Sequence, residues 1–369
     1  MRIVVHREIP DDPFLGQRWD TLVEAMDRPE VFYTYEWALA VFRAYSKTLT
    51  PLLILGYEGE HLVGVASLAT SEEGKTVFLA HATSDYCDFV SWPGERDALV
   101  EGVFAELRRR DLAMLTMANF PANSRTRAAL REASRANGYT MFSRPAYDCA
   151  RVLLGSQEQR KTLKESLVKR KALRYALKGL AKQGPVQIRH LRSWQEIESA
   201  LPDFMQAHIA RFGAMGRVSN IAYPARQRFL TELAKLLAPR DWIALTRMRA
   251  GECAVAWNYG FRFAGSWFYY QPTFDTGLQQ YSPGVCLLSK MLEEACDDTA
   301  IDLIDLGLGA ECYKERFANG IRQTLHVTLA TSAATCFRER VRYQAATVVK
   351  SVPRLENWIR SFLGQASMS

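Results

Sequence analysis

The chain has 369 residues, more than one ordinary domain needs, so two domains are the natural expectation. Its 48% hydrophobic and 24% charged residues are typical of a soluble globular protein, and no apolar run approaches the length that spans a bilayer. Seven cysteines without metal-ligand spacing indicate reduced thiols in a cytosolic protein and no structural zinc, and the net charge of +7 is concentrated in one basic segment.

The first half alternates strands and helices. Its N-terminal strand becomes charged at once and has no apolar core of the signal-peptide kind, so we expect no secretion signal. The pattern predicts strand 2–5, helices 13–26 and 35–45, a hairpin of 52–57 with 62–68, strands 76–79 and 87–91, helix 99–109, strand 113–117, helix 125–136, and strands 139–142 and 148–153.

A basic helix over 157–182 opens the second half. Nine lysines and arginines between Arg160 and Lys182 stand against Glu158 and Glu165, and this excess accounts for roughly the whole net charge. A solvated helix face is one interpretation, and contact with RNA phosphates or an anionic membrane surface is the other. The pattern then predicts strand 186–191, helices 194–212 and 226–237, and strand 242–248.

The chemistry is expected between Glu252 and Phe317. Two β-rich runs, 253–263 and 266–271, flank the turn Ala264-Gly265 and predict a hairpin. A helix over 285–296 follows, and its first turn at Ser282-Pro283-Gly284 leaves backbone N–H groups for an anion. An ordinary capped helix is the competing interpretation. Strand 301–305, a glycine loop and a final strand at 327–330 complete the half.

Both halves show the order helix, helix, hairpin, strand, helix, strand, which indicates a duplicated α/β unit joined near Gly155. The tail, 336–364, is a basic helical stretch interrupted by Pro353. It can dock on its own domain or lie on an anionic membrane, with one apolar face formed by Leu355, Trp358, Ile359, Phe362 and Leu363.

Several motifs occur in a fixed order along most of the chain. They are Phe32 to Trp37, the patch Ser84-Asp85-Tyr86 with Asp88, the basic helix, Phe204 with His208 and Arg211, and the run from Asp305 to Lys314. Together they resemble the tandem branch of the GNAT acyltransferase superfamily that includes FemAB-type transferases and CelD-like acetyltransferases. Tyr281-Ser-Pro-Gly284 occupies the place of the family's pyrophosphate turn, but it departs from the usual glycine pattern of that turn.

This resemblance implies an α/β fold of two tandem GNAT-like domains, each a mixed, mostly antiparallel sheet flanked by helices, plus a C-terminal helical tail. The implied divisions are 1–155 for the acceptor side, 156–332 for the acyl-CoA site and 333–369 for the tail. The implied co-substrate is acyl-CoA, with no metal. The residues expected to hold it are Gln271, Tyr281, Ser282, Pro283, Gly284 and Val285.

The resemblance also suggests roles in the transfer itself. Tyr313 is expected to protonate the departing thiolate, and His208 to take the amine proton, because an ordinary histidine pKa suits neutral pH. Asp305 is the competing base. The acceptor and substrate side is expected to include Asp85, Tyr86, Asp88, Trp267 and Lys314.

The expected activity is direct acyl transfer to an amine of a cell-envelope, sugar or lipid-like acceptor. The expected location is the cytoplasm, including the inner face of the membrane. One alternative is a FemAB-like transfer from aminoacyl-tRNA to a peptidoglycan precursor, although the basic helix is not a long coiled-coil arm and nucleic acid is not the expected partner. The other is a non-catalytic scaffold that binds membrane or nucleic acid.

Overall fold

The computed structural model of the chain describes residues 1–309 and 311–351. Within them the strands are β1 (Arg2–His6), β2 (Leu49–Glu58), β3 (His61–Ser71), β4 (Thr76–Phe78), β5 (Val90–Ser91), β6 (Met114–Pro121), β7 (Thr140–Leu153), β8 (Val186–Leu191), β9 (Ile243–Ala250), β10 (Cys253–Phe263), β11 (Ser266–Phe274), β12 (Leu303–Asp305) and β13 (Gly320–Ala330).

The helices flank this sheet. They are α1 (Pro13–Glu24), α2 (Tyr35–Tyr45), α3 (Arg96–Arg109), α4 (Thr126–Ala136), α5 (Gln157–Lys169), α6 (Lys171–Leu180), α7 (Trp194–Ala214), α8 (Pro224–Leu237), α9 (Pro283–Asp297), α10 (Cys312–Glu315) and α11 (Ala333–Ser351). The mixed α/β class predicted from the sequence is confirmed.

The strands of both halves form one continuous sheet. Its order is β1-β2-β3-β4-β6-β13-β7-β12-β11-β10-β9-β8, with β5 paired to β3. The pairs β4–β6 and β11–β12 are parallel and the other pairs are antiparallel. The sequence predicts a separate sheet for each half, whereas the structure joins the strands of both halves in a single sheet.

The junction between the halves consists of two interleaved strands. The last strand of the first half, β7, lies between β12 and β13 of the second half, and β13 lies between β6 and β7. β7 is one strand of 14 residues where the sequence predicts two short ones, and β13 is much longer than the predicted 327–330. Each half therefore completes the sheet of the other.

A buried aromatic cluster joins the halves above the sheet. The Trp37 ring of α2 lies 5.2 Å from Phe261 of β10 and 5.5 Å from Phe229 of α8, and Phe32 lies 5.2 Å from Phe268 of β11. Aromatic rings bury large apolar areas and pack edge to face at such distances. The hydrophobic core is therefore common to both halves at this point.

The basic segment is two helices and not the single predicted one. Arg170 adopts an extended conformation, with φ −61° and ψ 110°, and ends α5. Arg160 is buried, and its guanidinium donates to the carbonyls of Ala295, Asp298 and Ile301 at 2.7–3.1 Å. That arginine satisfies carbonyls left open at the end of α9, so its role is structural.

The described part of the tail is α11, which packs on β7 and β13 through Cys336 and Tyr343. The predicted amphipathic face beyond Pro353 lies outside the described residues. Among the described helices, none is long and apolar enough to cross a membrane.

Candidate active site

The sheet opens between β11 and β12. These two strands pair over three positions only, from Ser266 opposite Leu303 to Phe268 opposite Asp305. β11 continues to Phe274, whereas the chain leaves β12 at Asp305 and enters the glycine loop 306–309. The backbone of β11 past Phe268 therefore faces a cleft on this side.

The start of α9 borders this cleft. Ser282 has left-handed φ and ψ of 45° and 55°, and Pro283 is the first helical residue. The N–H of Val285 is occupied by the Ser282 carbonyl at 2.9 Å. Since proline has no N–H, the N–H of Gly284 is the group in this turn that lacks an acceptor among the described residues. The sequence predicts several N–H groups without an acceptor at this helix start, and the structure has fewer, since Val285 and Cys286 both donate to the Ser282 carbonyl.

A cavity of about 290 Å³ fills the cleft. It contains four residues predicted from the sequence to hold or react with the donor, together with six that were not predicted for this site. The lining consists of Arg211, Tyr269, Pro272, Thr273, Phe274, Gln279, Ser282, Gly284, Val285 and Tyr313. The site thus combines a helix start, an open strand edge and a phenol.

Gly284 has a packing reason for lacking a side chain. A Cβ at this position would lie 3.2 Å from the ring of Phe274, on the cavity wall. The other residues predicted for the donor site lie elsewhere. Tyr281 packs on Gly179 of α6, Pro283 is buried, and Gln271 lies beside His208.

Tyr313 lies on the short helix α10 and lines the cavity. Burial and the Glu311 carboxylate raise its pKa far above the ordinary tyrosine value, against the opposing charge of Arg211. The phenol is therefore protonated at neutral pH, as a proton donor must be.

His208 lies beside the cavity without lining it. The ring is buried, its Nδ1 is 2.8 Å from the Ser219 hydroxyl, and it stacks on Phe212 at 4.7 Å. Burial, with Arg211 and Arg226 nearby, lowers its pKa to about 4. A neutral-pH base was expected here, but a ring with this pKa binds a proton weakly.

Asp305 is fully buried and saturated with partners. Its carboxylate accepts hydrogen bonds from the Tyr86 hydroxyl and the Gly307 N–H, both at 2.9 Å, and it lies 3.2 Å from Arg151 Nε. A carboxylate held in this way fixes the glycine loop in place. Tyr86 is likewise buried, and it lies 4.0 Å beneath the guanidinium of Arg322.

Asp85 meets the glycine loop from the first half of the chain. Gly307 has φ 71°, and a Cβ there would lie 2.7 Å from Asp85 Oδ2. Burial and the Asp305 carboxylate raise the pKa of Asp85 to about 7, although Lys314 and Arg226 oppose this shift. Lys314 is itself buried and donates to the Leu308 carbonyl at 2.9 Å.

Two predicted residues lie away from this cleft. Asp88 accepts a hydrogen bond from Ser124 Oγ at 2.5 Å and faces a different cavity in the first half. Trp267 is buried in the core beneath α9, with its ring 5.2 Å from His190.

Arg211 is the most important cavity residue that the predicted set omits. Its guanidinium lies 4.3 Å above the Phe274 ring and donates to the Pro272 carbonyl at 3.0 Å. The sequence does contain a signal, because Arg211 is one helical turn from His208 in the same motif.

Comparison with known proteins finds a similar domain in the second half of the chain. Residues 168–315 match the model of the acetyltransferase (GNAT) domain. No curated protein sequence matches the chain.

Solved structures are similar over almost the full length. FemX shares 9% identity with a TM-score of 0.58, covering 89% of this chain and 97% of that one. A tandem GNAT protein from the clavulanic acid biosynthesis pathway shares 12% with a TM-score of 0.50, covering 90% and 98%. The C-terminal DUF2156 domain assigned to a lysylphosphatidylglycerol synthetase from Agrobacterium fabrum shares 12% with a TM-score of 0.51, covering 90% and 95%.

Proposed function

We propose that this chain, a tandem-domain protein of the GNAT superfamily with an acyltransferase domain, transfers an acyl group directly from coenzyme A to an amine. The observation that carries the proposal is the cavity between β11, the start of α9 and Tyr313. In this proposal the second half, 156–332, holds the donor and the first half, 1–155, forms the acceptor side.

Several features of the cavity support a coenzyme A thioester as its ligand. The Gly284 N–H and the positive end of α9 suit the pyrophosphate, and Arg211 adds a positive charge to the same wall. The unpaired backbone of β11 can hydrogen-bond to the amide groups of the donor's arm, as a neighbouring strand would. In this proposal Ser282, Pro283 and Val285 shape the turn, Tyr281 packs on Gly179 of α6, and Gln271 lies beside His208.

The reaction moves one acyl group and two protons. The amine nitrogen attacks the thioester carbonyl, a C–N bond forms, and the C–S bond breaks. The thiolate takes the phenol proton of Tyr313, which is protonated at neutral pH. The proton lost by the amine goes to a base on the acceptor side, and the phenol is later reprotonated from solvent.

We assign that base to Asp85. Its pKa of about 7 leaves a substantial fraction ionised at neutral pH, and this carboxylate is basic enough to take a proton. The His208 ring, with a pKa of about 4, is neutral at this pH but is a much weaker base. Asp85 comes from the first half of the chain and adjoins the glycine loop behind the cavity. In this proposal Asp305 and Tyr86 are positioning residues for that loop, and Lys314 fixes it through the Leu308 carbonyl.

The acceptor that we propose is an amine of a cell-envelope, sugar or lipid-like molecule, met in the cytoplasm or at the membrane surface. Two solved structures with the same fold support this choice by their names. One is FemX, and the other is a domain assigned to lysylphosphatidylglycerol synthetase.

The test is release of free thiol from acyl-coenzyme A by the purified full chain. Acetyl and long-chain acyl donors are each supplied with glucosamine, a long-chain amino alcohol and no amine. Amine-dependent thiol release supports the proposal. A chain that binds no acyl-coenzyme A in calorimetry, yet binds RNA or anionic vesicles in a salt-dependent way, contradicts it.

A further inference from the structure

A second cavity, of about 170 Å³, lies in the first half of the chain and is separate from the acyl-donor cleft. It is enclosed by the turn before the short helix at 31–33, the start of α3 and the loop between β6 and α4. Its lining is rich in arginine and consists of Met26, Asp27, Arg28, Tyr33, Asp88, Arg96, Pro121, Asn123, Ser124, Arg125 and Arg322.

Three lining residues carry buried polar groups without partners among the described residues. Arg96 is 7% exposed and makes no hydrogen bond or ion pair with the described chain, and its Nε is fully buried. The Tyr33 hydroxyl and Arg322 Nε are also buried and unpartnered. Each such group costs about 1–3 kcal/mol if nothing binds it. All three side chains line this one cavity, so a ligand bound there is placed to satisfy those groups that face it.

The charge of the cavity is positive once its internal pairs are removed. Arg125 pairs with Asp27 at 3.1 Å, and Arg322 pairs with the buried Glu30. Arg28 and Arg96 then remain against the single carboxylate of Asp88. That carboxylate already accepts hydrogen bonds from the Ser124 hydroxyl and the Phe89 N–H.

Two helix starts add to this field. Arg96 is the first residue of α3 and Arg125 is the N-cap of α4, so both helices point their positive ends at the cavity. A lone cation at a helix start is unfavourable. Arg125 is compensated by its ion pair with Asp27, and Asp97 lies in the first turn of α3 beside Arg96. Arg28 lies beside the neutral side-chain amide of Asn123. When this amide is rotated so that its oxygen faces Arg28, the oxygen accepts a hydrogen bond from the guanidinium at 2.6 Å.

We propose that this cavity is a second binding site, which takes one small oxyanion of the phosphate or carboxylate class on Arg96, Tyr33 and Arg322. Arg96 and Arg322 supply charge-assisted donors, and the Tyr33 hydroxyl adds a neutral one. The anion is either a free metabolite or the charged group of a larger molecule. This proposal does not rest on the proposed acyl transfer, because anion binding at the cavity can be measured by itself.

The position of the site links it to the cleft. The Arg322 guanidinium lies 4.0 Å over the Tyr86 ring, and Tyr86 in turn donates to Asp305 at the glycine loop. An anion on Arg322 is therefore connected to the glycine loop beside the donor cavity through two side chains, Tyr86 and Asp305.

The experiment measures anion binding to the full chain by calorimetry and by thermal unfolding. The probes are inorganic phosphate, glycerol phosphate and acetate, each against chloride at equal ionic strength. We expect binding in the millimolar range or tighter and a rise in Tm. Binding of inorganic phosphate or acetate identifies a free anion as sufficient, and binding of glycerol phosphate alone identifies an esterified group.

Two variants and one control decide the assignment. Arg96→Gln should weaken binding at least about tenfold. Tyr33→Phe removes a buried hydroxyl without a partner, so without anion the protein should be at least as stable as the wild type, and it should gain less stability with anion. Arg135→Gln, which removes an exposed charge from α4, should bind like the wild type. No binding by the wild type, or equal losses in all three variants, overturns the proposal.

Discussion

The Tyr86 hydroxyl, from the first half of the chain, donates a 2.9 Å hydrogen bond to the Asp305 carboxylate of the second half. Both side chains are buried, and the other oxygen of the same carboxylate accepts from the Gly307 N–H. The loop beside the proposed acyl-donor cavity is therefore held in place by a residue more than 200 positions away in the sequence.

Tyr313→Phe tests the proton donor. Removing the phenol hydroxyl leaves the thiolate to be protonated by water, so we expect kcat to fall by about 10²-fold or more. The ring stays in the cavity wall, and donor affinity should change little. Steady-state kinetics and acyl-coenzyme A calorimetry measure the two effects, and an unchanged kcat would remove Tyr313 from the mechanism.

Gly284→Leu tests the donor site. A side chain here meets the Phe274 ring and blocks the approach of a phosphate to the helix start. We expect acyl-coenzyme A affinity to fall at least about tenfold, as measured by calorimetry. Gly213→Ala is the matched control, because a Cβ there meets nothing within 4 Å. Full affinity in the leucine variant would place the donor elsewhere.

The pH profile of the reaction tests Asp85. A base must be deprotonated, so kcat/KM should rise with pH and level off above the pKa of about 7. Asp85→Asn should lower the rate by about 10²-fold and abolish this inflection. Asp97→Asn, an exposed carboxyl of α3, should keep both rate and inflection.

The same substitution should affect stability in the opposite direction. The folded pKa of Asp85 lies above the unfolded value near 3.8, so its contribution to folding is fully present below that value and lost as pH rises through about 7. Asp85→Asn should therefore be more stable than the wild type at pH 8 and slower as an enzyme. A variant that is both slow and less stable would indicate structural damage.

Arg322→Met tests the buried ion pair with Glu30. Both side chains are almost fully buried, and burial raises the pKa of Glu30 to about 7 against the opposing charge of Arg322. Without the arginine, an ionised Glu30 is left uncompensated, so we expect a loss of about 3 kcal/mol in the free energy of unfolding at pH 8.

This loss should be smaller at pH 5, where Glu30 can take up a proton. Denaturant unfolding at both pH values measures it. The double variant Glu30→Gln with Arg322→Met should regain most of the stability, and Arg135→Met controls for the loss of a surface charge. A loss that does not depend on pH would contradict the account.

Much of the proposed donor region was predictable because its signals are local. The hairpin of β10 and β11 follows from alternating β-formers around Ala264-Gly265, and the start of α9 follows from Ser282-Pro283. Tyr313 was placed by motif resemblance, and the structure brings it into one cavity with Gly284.

The parts that could not be predicted depend on contacts distant in sequence. Pro145 suggests a break between two short strands, yet it lies inside β7 opposite Leu325 of β13. The pKa of His208 is set by burial against Phe212 and Ser219. Arg170 lies in a run of good helix formers, and no residue near it predicts the break between α5 and α6. The sequence around Arg96 likewise does not predict that this side chain is buried.

The interleaving of β7 and β13 also sets the order in which the molecule can assemble. Until residues 320–330 have left the ribosome, β6 and β7 lack the strand that lies between them, and their backbone groups remain open to other chains. The first half, although made first, cannot finish folding before almost the whole chain is synthesised. Such long-range pairing folds slowly, so the newly made chain is expected to be most vulnerable to aggregation at this seam.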